Sequence, residues 1–266
     1  MINTEALKNY ISLGDSPGFY GYGKWSSEIY IIGIEEAGCY SESLIQQKIN
    51  RYYELNFGHE GLFDNKLFQG NLTDLCDKNL SNYADFYNGN IKKGGYVPKI
   101  ATLLKVLEDS NIETFEYVAK YFGSEISNHS LIEILPLPCP TVKDWWYPKW
   151  VNLKELDYFV SKKKYREEVI KKRVETIKMK IEKSESRKLV LFLANGKDKI
   201  AYWNRISPIN LNNYTHKIGS IPYHVDKKIM YVLLPFPGSP SSNGKFNSYE
   251  QINIVAKDIK KQFDKI

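Results

Sequence analysis

Four short, nearly continuous apolar runs punctuate the chain: Glu28 to Ile34 (EIYIIGI), Leu131 to Leu135, Leu189 to Ala194 (LVLFLA) and Met230 to Leu234 (MYVLL). Runs this short, rich in β-branched residues and bounded by turn formers, predict strands buried on both faces, the pattern of a parallel sheet. Between them the apolar positions change period. Ile100, Leu103, Leu104 and Leu107 follow Pro98 at helical spacing, and proline suits a first helical turn. Tyr165, Val169, Val174, Ile177 and Ile181 repeat in the same way through a Lys-rich segment, and Ile252, Val255, Ile259 and Phe263 close the sequence. Strands alternating with helices predict an α/β fold whose right-handed crossovers place helices on both faces of the sheet. No linker or change of composition divides the 266 residues. A single domain over 1–266 is expected, with the Asn-, Gly- and Phe-rich stretch from Leu55 to Gly95 as a loop-rich insertion.

Two of the runs end alike, in Leu135-Pro136-Leu137-Pro138 and Leu234-Pro235-Phe236-Pro237. Proline offers no ladder N–H, so each pair is expected to stop its strand and aim a rigid loop away from the sheet. In open parallel sheets ligands bind outside the carboxyl ends of the strands. Chemistry is therefore sought at Gly33 to Tyr40, Glu133 to Trp150, Asn195-Gly196 and Pro235 to Asn247. The first of these holds two adjacent carboxylates, Glu35 and Glu36, read as a glycine-flanked turn leaving a buried strand.

Charge and composition narrow the classes only modestly. Lys and Arg number 37 against 31 Asp and Glu, a formal charge of +6 that permits a nucleic-acid partner. The basic segment from Lys162 to Arg173 could track phosphates, but its interleaved Glu167 and Glu168 favour a solvated face. Three cysteines are too few and too scattered for a disulfide framework, a zinc site or an iron–sulfur cluster. The four histidines lack ligand spacing, so neither metal nor cofactor is expected. There is no phosphate-binding glycine loop, dinucleotide fingerprint or G-x-S-x-G elbow. Met1 to Ala6 have no signal-peptide character and no apolar run approaches the length of a membrane span. A cytoplasmic location is expected, with no membrane and no protein partner.

The strand-end segments are similar to the two motifs of the uracil-DNA glycosylase superfamily. G-I-E-E-A-G-C-Y (Gly33 to Tyr40) resembles the first, a strand followed by Gly-x-(Asp/Asn/Glu), with Glu36 in place of the usual proline. L-P-F-P-G-S-P-S-S-N-G-K-F-N (Leu234 to Asn247) resembles the second, His-Pro-Ser-Pro and a minor-groove wedge, with Gly238 inserted and Phe236 at the histidine position. The ordered framework spans residues 28–264. The resemblance implies a three-layer α/β/α fold with a central four-stranded parallel sheet. It also implies hydrolysis of the N-glycosidic bond of a base flipped out of DNA. Glu35, or Glu36 if the register slips by one, would handle the water, and Glu133 would read the base and protonate the leaving group. Ala37, Gly38, Tyr40 and Phe236 would line the base pocket. Ser239, Ser241, Ser242 and Asn243 would hold phosphates, and Lys245 or Phe246 would wedge the duplex.

The substrate expectation follows from residue chemistry joined to that resemblance. A reader asparagine donates to O4 of uracil, whereas an ionised carboxylate only accepts and suits the N4 amino group of cytosine. Kept neutral by burial, Glu133 would also donate to N3. Ala37 and Gly38 leave room at C5 of the base. Three of the five tryptophans fall within Trp145 to Trp150, and Trp145, Trp146 and Tyr147 could stack on a sugar or base. A bacterial branch of the superfamily acts on phage DNA carrying glucosylated hydroxymethylcytosine, which this pattern fits. Two alternatives stay open: a repair glycosylase for uracil or damaged bases, and an inactive relative that binds nucleic acid.

Overall fold

The computed structural model describes residues 1–37, 41–55, 60–69, 95–139, 144–194, 197–208, 210, 213, 216–237 and 246–266. In chain order its elements are α1 (Thr4–Tyr10), β1 (Gly21–Tyr22), β2 (Ile29–Ala37), α2 (Glu42–Leu55), β3 (Leu62–Phe63), α3 (Asn65–Gln69), α4 (Tyr96–Leu107) and α5 (Thr114–Tyr121). There follow β4 (His129–Cys139), short 3₁₀ turns at Tyr147–Lys149 and Asp157–Val160, α6 (Lys162–Glu182), β5 (Lys188–Leu193), α7 (Lys197–Ile206), β6 (His216–Ile218), β7 (Ile221–Asp226), β8 (Ile229–Leu234) and α8 (Tyr249–Phe263).

The four apolar runs became four neighbouring parallel strands, β4-β2-β5-β8. Their continuous hydrophobicity has the expected cause, because alternate residues serve two cores. Tyr30, Ile32, Val190, Phe192, Tyr231 and Leu233 point to one face with Tyr165, Val169 and Ile177 of α6 and Trp203 of α7. Ile29, Ile31, Leu189, Leu191, Met230 and Val232 point to the other with Leu103 and Leu104 of α4, Val118 of α5 and Ile252, Ile259 and Phe263 of α8.

The expected count of four strands is corrected to eight among the described residues, in the order β3-β1-β4-β2-β5-β8-β7-β6. The added strands flank the parallel core. β1 runs antiparallel to β4 and pairs with β3, while β7 and β6 extend the sheet beyond β8 as an antiparallel pair. Two-residue strands carry no readable period, and β7 (IPYHVD) is a half-exposed strand with polar positions and a proline. Within the stretch read as a loop-rich insertion, the described residues form the two-residue β3, which pairs with β1, and the short α3.

Two further expectations change at the carboxyl end of the core. β2 runs on through Glu35 and Glu36 to Ala37, so the two carboxylates belong to a strand and not to a turn. β4 likewise continues through both prolines to Cys139. Between the pairs Glu35↔Leu135 and Ala37↔Cys139, β2 advances two residues and β4 four. This bulge takes up Pro136 and Pro138, which cannot donate to a ladder.

Helix α6 was read as a solvated basic face, and part of it is the opposite. Arg173 is fully buried. Its Nε donates to the Ile134 carbonyl at 2.6 Å and its Nη2 to the Glu133 carbonyl at 2.8 Å, tying α6 to β4. At the amino end of β4, buried His129 accepts the Gly123 N–H on Nε2 at 2.9 Å, so its own hydrogen sits on Nδ1 and donates to Glu108 Oε1 at 2.8 Å. Tyr117 donates to the other Glu108 oxygen. Among the described residues, no helix is long and apolar enough to cross a membrane.

Candidate active site

Four parallel strands end at one edge, and the helices that follow them begin there. α2, α7 and α8 each come directly after a core strand, so the positive ends of their peptide dipoles open on this edge. α6 also starts there, because Lys162 and Arg166 in its first two turns reach Glu35 at the end of β2.

Glu35 is mostly buried, with 13% of its side chain exposed, and two cations hold it. Lys162 Nζ donates to Oε1 at 2.9 Å, and Arg166 Nη2 approaches both oxygens at 3.4 Å. Cys139, paired with Ala37 across the bulge, belongs to the same cluster. Burial, assisted by the Glu35 charge, pushes its thiol up to about 11, while Lys162, which hydrogen-bonds it, and Arg166 pull the other way. The thiol therefore stays protonated at neutral pH and acts as a neutral neighbour of the ion pair.

Glu133 lies on the adjacent strand, in register with Gly33. Its carboxylate rests against the bare Cα of that glycine: a Cβ there would stand 2.5 Å from Oε2 and 2.9 Å from Oε1. Tyr96, the first residue of α4, lies within the field of the Glu133 charge and against the end of β8. Burial and then the Glu133 charge raise its phenol well above the ordinary range. Its ring also stacks on Phe236 at 5.0 Å, 5° from parallel. Phe236 keeps 41% of its surface exposed. Between β2 and β8, Ala194 follows β5 in a left-handed conformation (φ 85°), a strain of order 1–3 kcal/mol for a residue with a Cβ. It is held by its N–H on the Leu234 carbonyl and by the Trp203 indole on its own carbonyl.

Glu35, Glu133 and Phe236 thus share the edge at which they were sought. The side chains of Glu36 and Ala37, and the whole of Gly38, Tyr40, Ser239, Ser241, Ser242, Asn243 and Lys245, lie outside the described residues. Three expected ligand contacts are corrected. Tyr147 is 2% exposed and its hydroxyl donates to the Pro138 carbonyl, so its ring is spent on closing the bulge of β4. Trp145 packs against Tyr147, Phe159 and Tyr165, with its indole N–H on the Phe159 carbonyl at 2.6 Å. Phe246 is fully buried in the core beneath α8 and cannot wedge a duplex from there. Of this aromatic set Trp146 is the exposed one, at 42%.

Three contributors to the edge were missed. Lys162 and Arg166 share a helical face with Tyr165, Val169 and Arg173, and that face, read at period 3.6, points to the core. Tyr96 has no such signal, since only the tertiary fold brings it to Phe236. No protein-family model matches the chain, and no curated protein matches it.

Proposed function

We propose that this chain is a DNA glycosylase of the uracil-DNA glycosylase type. It hydrolyses the N-glycosidic bond of a flipped C5-modified cytosine, glucosylated hydroxymethylcytosine in phage DNA, and leaves an abasic site. In this reading β4-β2-β5-β8 with its helices on both faces is the three-layer core of that fold. The observation that carries it is the pairing of the strands that bear Glu35 and Glu133 at one edge, with Tyr96 stacked on Phe236 there. One wall then offers a carboxylate for a base edge and aromatic surface for a base face. The other offers a carboxylate for the sugar.

Bond cleavage leaves positive charge on the sugar. Glu35 faces that charge and orients the water, help typically worth about 10²–10⁴-fold for a positioned acid or base. Glu133 meets the N4 amino group and, when protonated, supplies a hydrogen to the departing base. Phe236 cannot do so, because it replaces the histidine of the resembling motif. Extrusion of the base costs a few kcal/mol and is recovered by stacking and edge contacts.

The test is mass detection of free base from matched oligonucleotides carrying cytosine, glucosylated hydroxymethylcytosine or uracil. Release of the modified cytosine with uracil spared is expected, because a site built to pair an amino group rejects a base lacking it. Strong release of uracil with the modified cytosine untouched transfers the case to the repair alternative. The two cations on Glu35 favour a second reading, a nucleic-acid-binding relative without chemistry. That reading predicts DNA binding and no base released from any of the three.

A further inference from the structure

Glu35 is held unequally. Lys162 bonds it at 2.9 Å, also bonds Cys139, and has 10% of its side chain exposed. Arg166 meets both carboxylate oxygens through one nitrogen at 3.4 Å, near the outer limit of a hydrogen bond. Its Nε is buried and has no acceptor among the described residues. A guanidinium presents five N–H donors in a flat fork that matches phosphate oxygens, and Arg166 spends that capacity on one long contact.

The position suits an anion too. Arg166 lies in the second turn of α6, a helix of 21 residues whose N-terminus opens on this edge. The helix dipole there adds a positive potential that falls off over the first turn. Lys162 is fixed from two sides; Arg166 has one loose partner and little to lose by exchanging it.

We propose that Arg166 is a phosphate ligand of this edge. In the empty site it rests on Glu35. When DNA binds, it turns its fork to a phosphodiester beside the extruded nucleotide and leaves Glu35 to Lys162 alone. The source of the phosphate rests on the glycosylase reading, whereas the anion site stands apart from it. The exchange couples the two halves of the site: backbone binding removes one of the cations that neutralise the carboxylate.

Two arms test this in the full-length chain. In the first, inorganic phosphate replaces chloride at matched ionic strength, and the thermal midpoint of the wild type should rise while that of Arg166→Gln does not. In the second, DNA affinity is followed from 50 to 200 mM salt. Arg166→Gln should flatten the log–log slope by about 0.9, the loss of one phosphate contact. Arg166→Lys, keeping the charge without the fork, should restore most of that slope. Lys163→Gln is the control: its side chain is 85% exposed on the same helix, and it should leave the phosphate effect unchanged. Equal phosphate responses and equal slopes in wild type and Arg166→Gln overturn the proposal. A lost phosphate response with an unchanged slope overturns DNA as the source and leaves free phosphate in its place. Failure of every oligonucleotide to release base removes the glycosylase reading and leaves both arms readable, since neither measures chemistry.

Discussion

Gly33 is the residue on which the geometry of Glu133 depends. An added Cβ would stand 2.5 Å from the end of that carboxylate, and the carboxylate is the flexible end of a side chain. Gly33→Ala should therefore fold, with a stability loss below about 1 kcal/mol, while Glu133 swings from its place. Base release should fall at least about tenfold, since a displacement near 1 Å can cost far more than that; single-turnover release with a urea melt of the same sample checks both halves. Glu35 gives the converse case. Glu35→Gln keeps the shape, so release should drop at least about 10²-fold. It also leaves Lys162 and Arg166 facing an amide, for about 2 kcal/mol of stability, between the values for exposed and buried pairs. Unaltered release by Glu35→Gln would take the chemistry away from this carboxylate.

Among the elements, β4 differs most between its two ends. Its amino end is fixed by the Glu108–His129–Tyr117 network. Burial pushes the Glu108 carboxyl up, but the hydrogen bonds from His129 and Tyr117 outweigh it and leave the group below its ordinary value. A carboxyl depressed in the folded state adds stability that is complete above the unfolded value and is lost as pH falls through the folded one. The wild type should thus lose stability below about pH 4.5, the ordinary value of the group, and Glu108→Gln should be less stable at neutral pH with a flatter acid limb. Urea midpoints from pH 3 to 7 measure both. The element scale is also where sequence reading worked best and failed most clearly. The core strands were legible because burial on two faces leaves continuous apolar runs. The carboxyl half of β4 was not, because proline signals a strand end by its missing N–H, and here a bulge absorbs that defect. Trp145 and Tyr147 misled for a related reason: a dense aromatic loop reads alike whether it meets a ligand or, as here, closes over that bulge. Lys162 and Arg166 were hidden by composition, since a Lys-rich helix suggests solvent even on its buried face.

For the molecule as a whole, the two ends of the sheet do different work. At the amino end, charges are spent on one another: Arg187 pairs with Glu28 and Asp264, and Lys260 with Asp109. At the carboxyl end stand a strained Ala194, a loosely held Arg166 and an exposed Phe236. The two ends thus differ in the partners their polar groups have. DNA should accordingly slow hydrogen exchange in the first turns of α6 and at the end of β8, and leave the Glu28–Arg187–Asp264 end unchanged. Equal protection at both ends would place the nucleic acid elsewhere on the surface.

The way the sheet stops on each side bears on how the chain behaves in company. Among the described residues its outermost strands are short, two residues in β3 and three in β6. An unpaired strand edge is a template on which another chain can add. Here neither side offers more than a few unpaired groups. Where β4 outruns β1, its prolines and the Tyr147 hydroxyl on the Pro138 carbonyl leave little to copy. The prolines beside the site thus also bear on self-assembly. A protein so protected should tolerate crowding, and light scattering at rising concentration should detect no growing aggregate. Replacing Pro136 and Pro138 by valine, which restores ladder donors along that stretch, should make one appear.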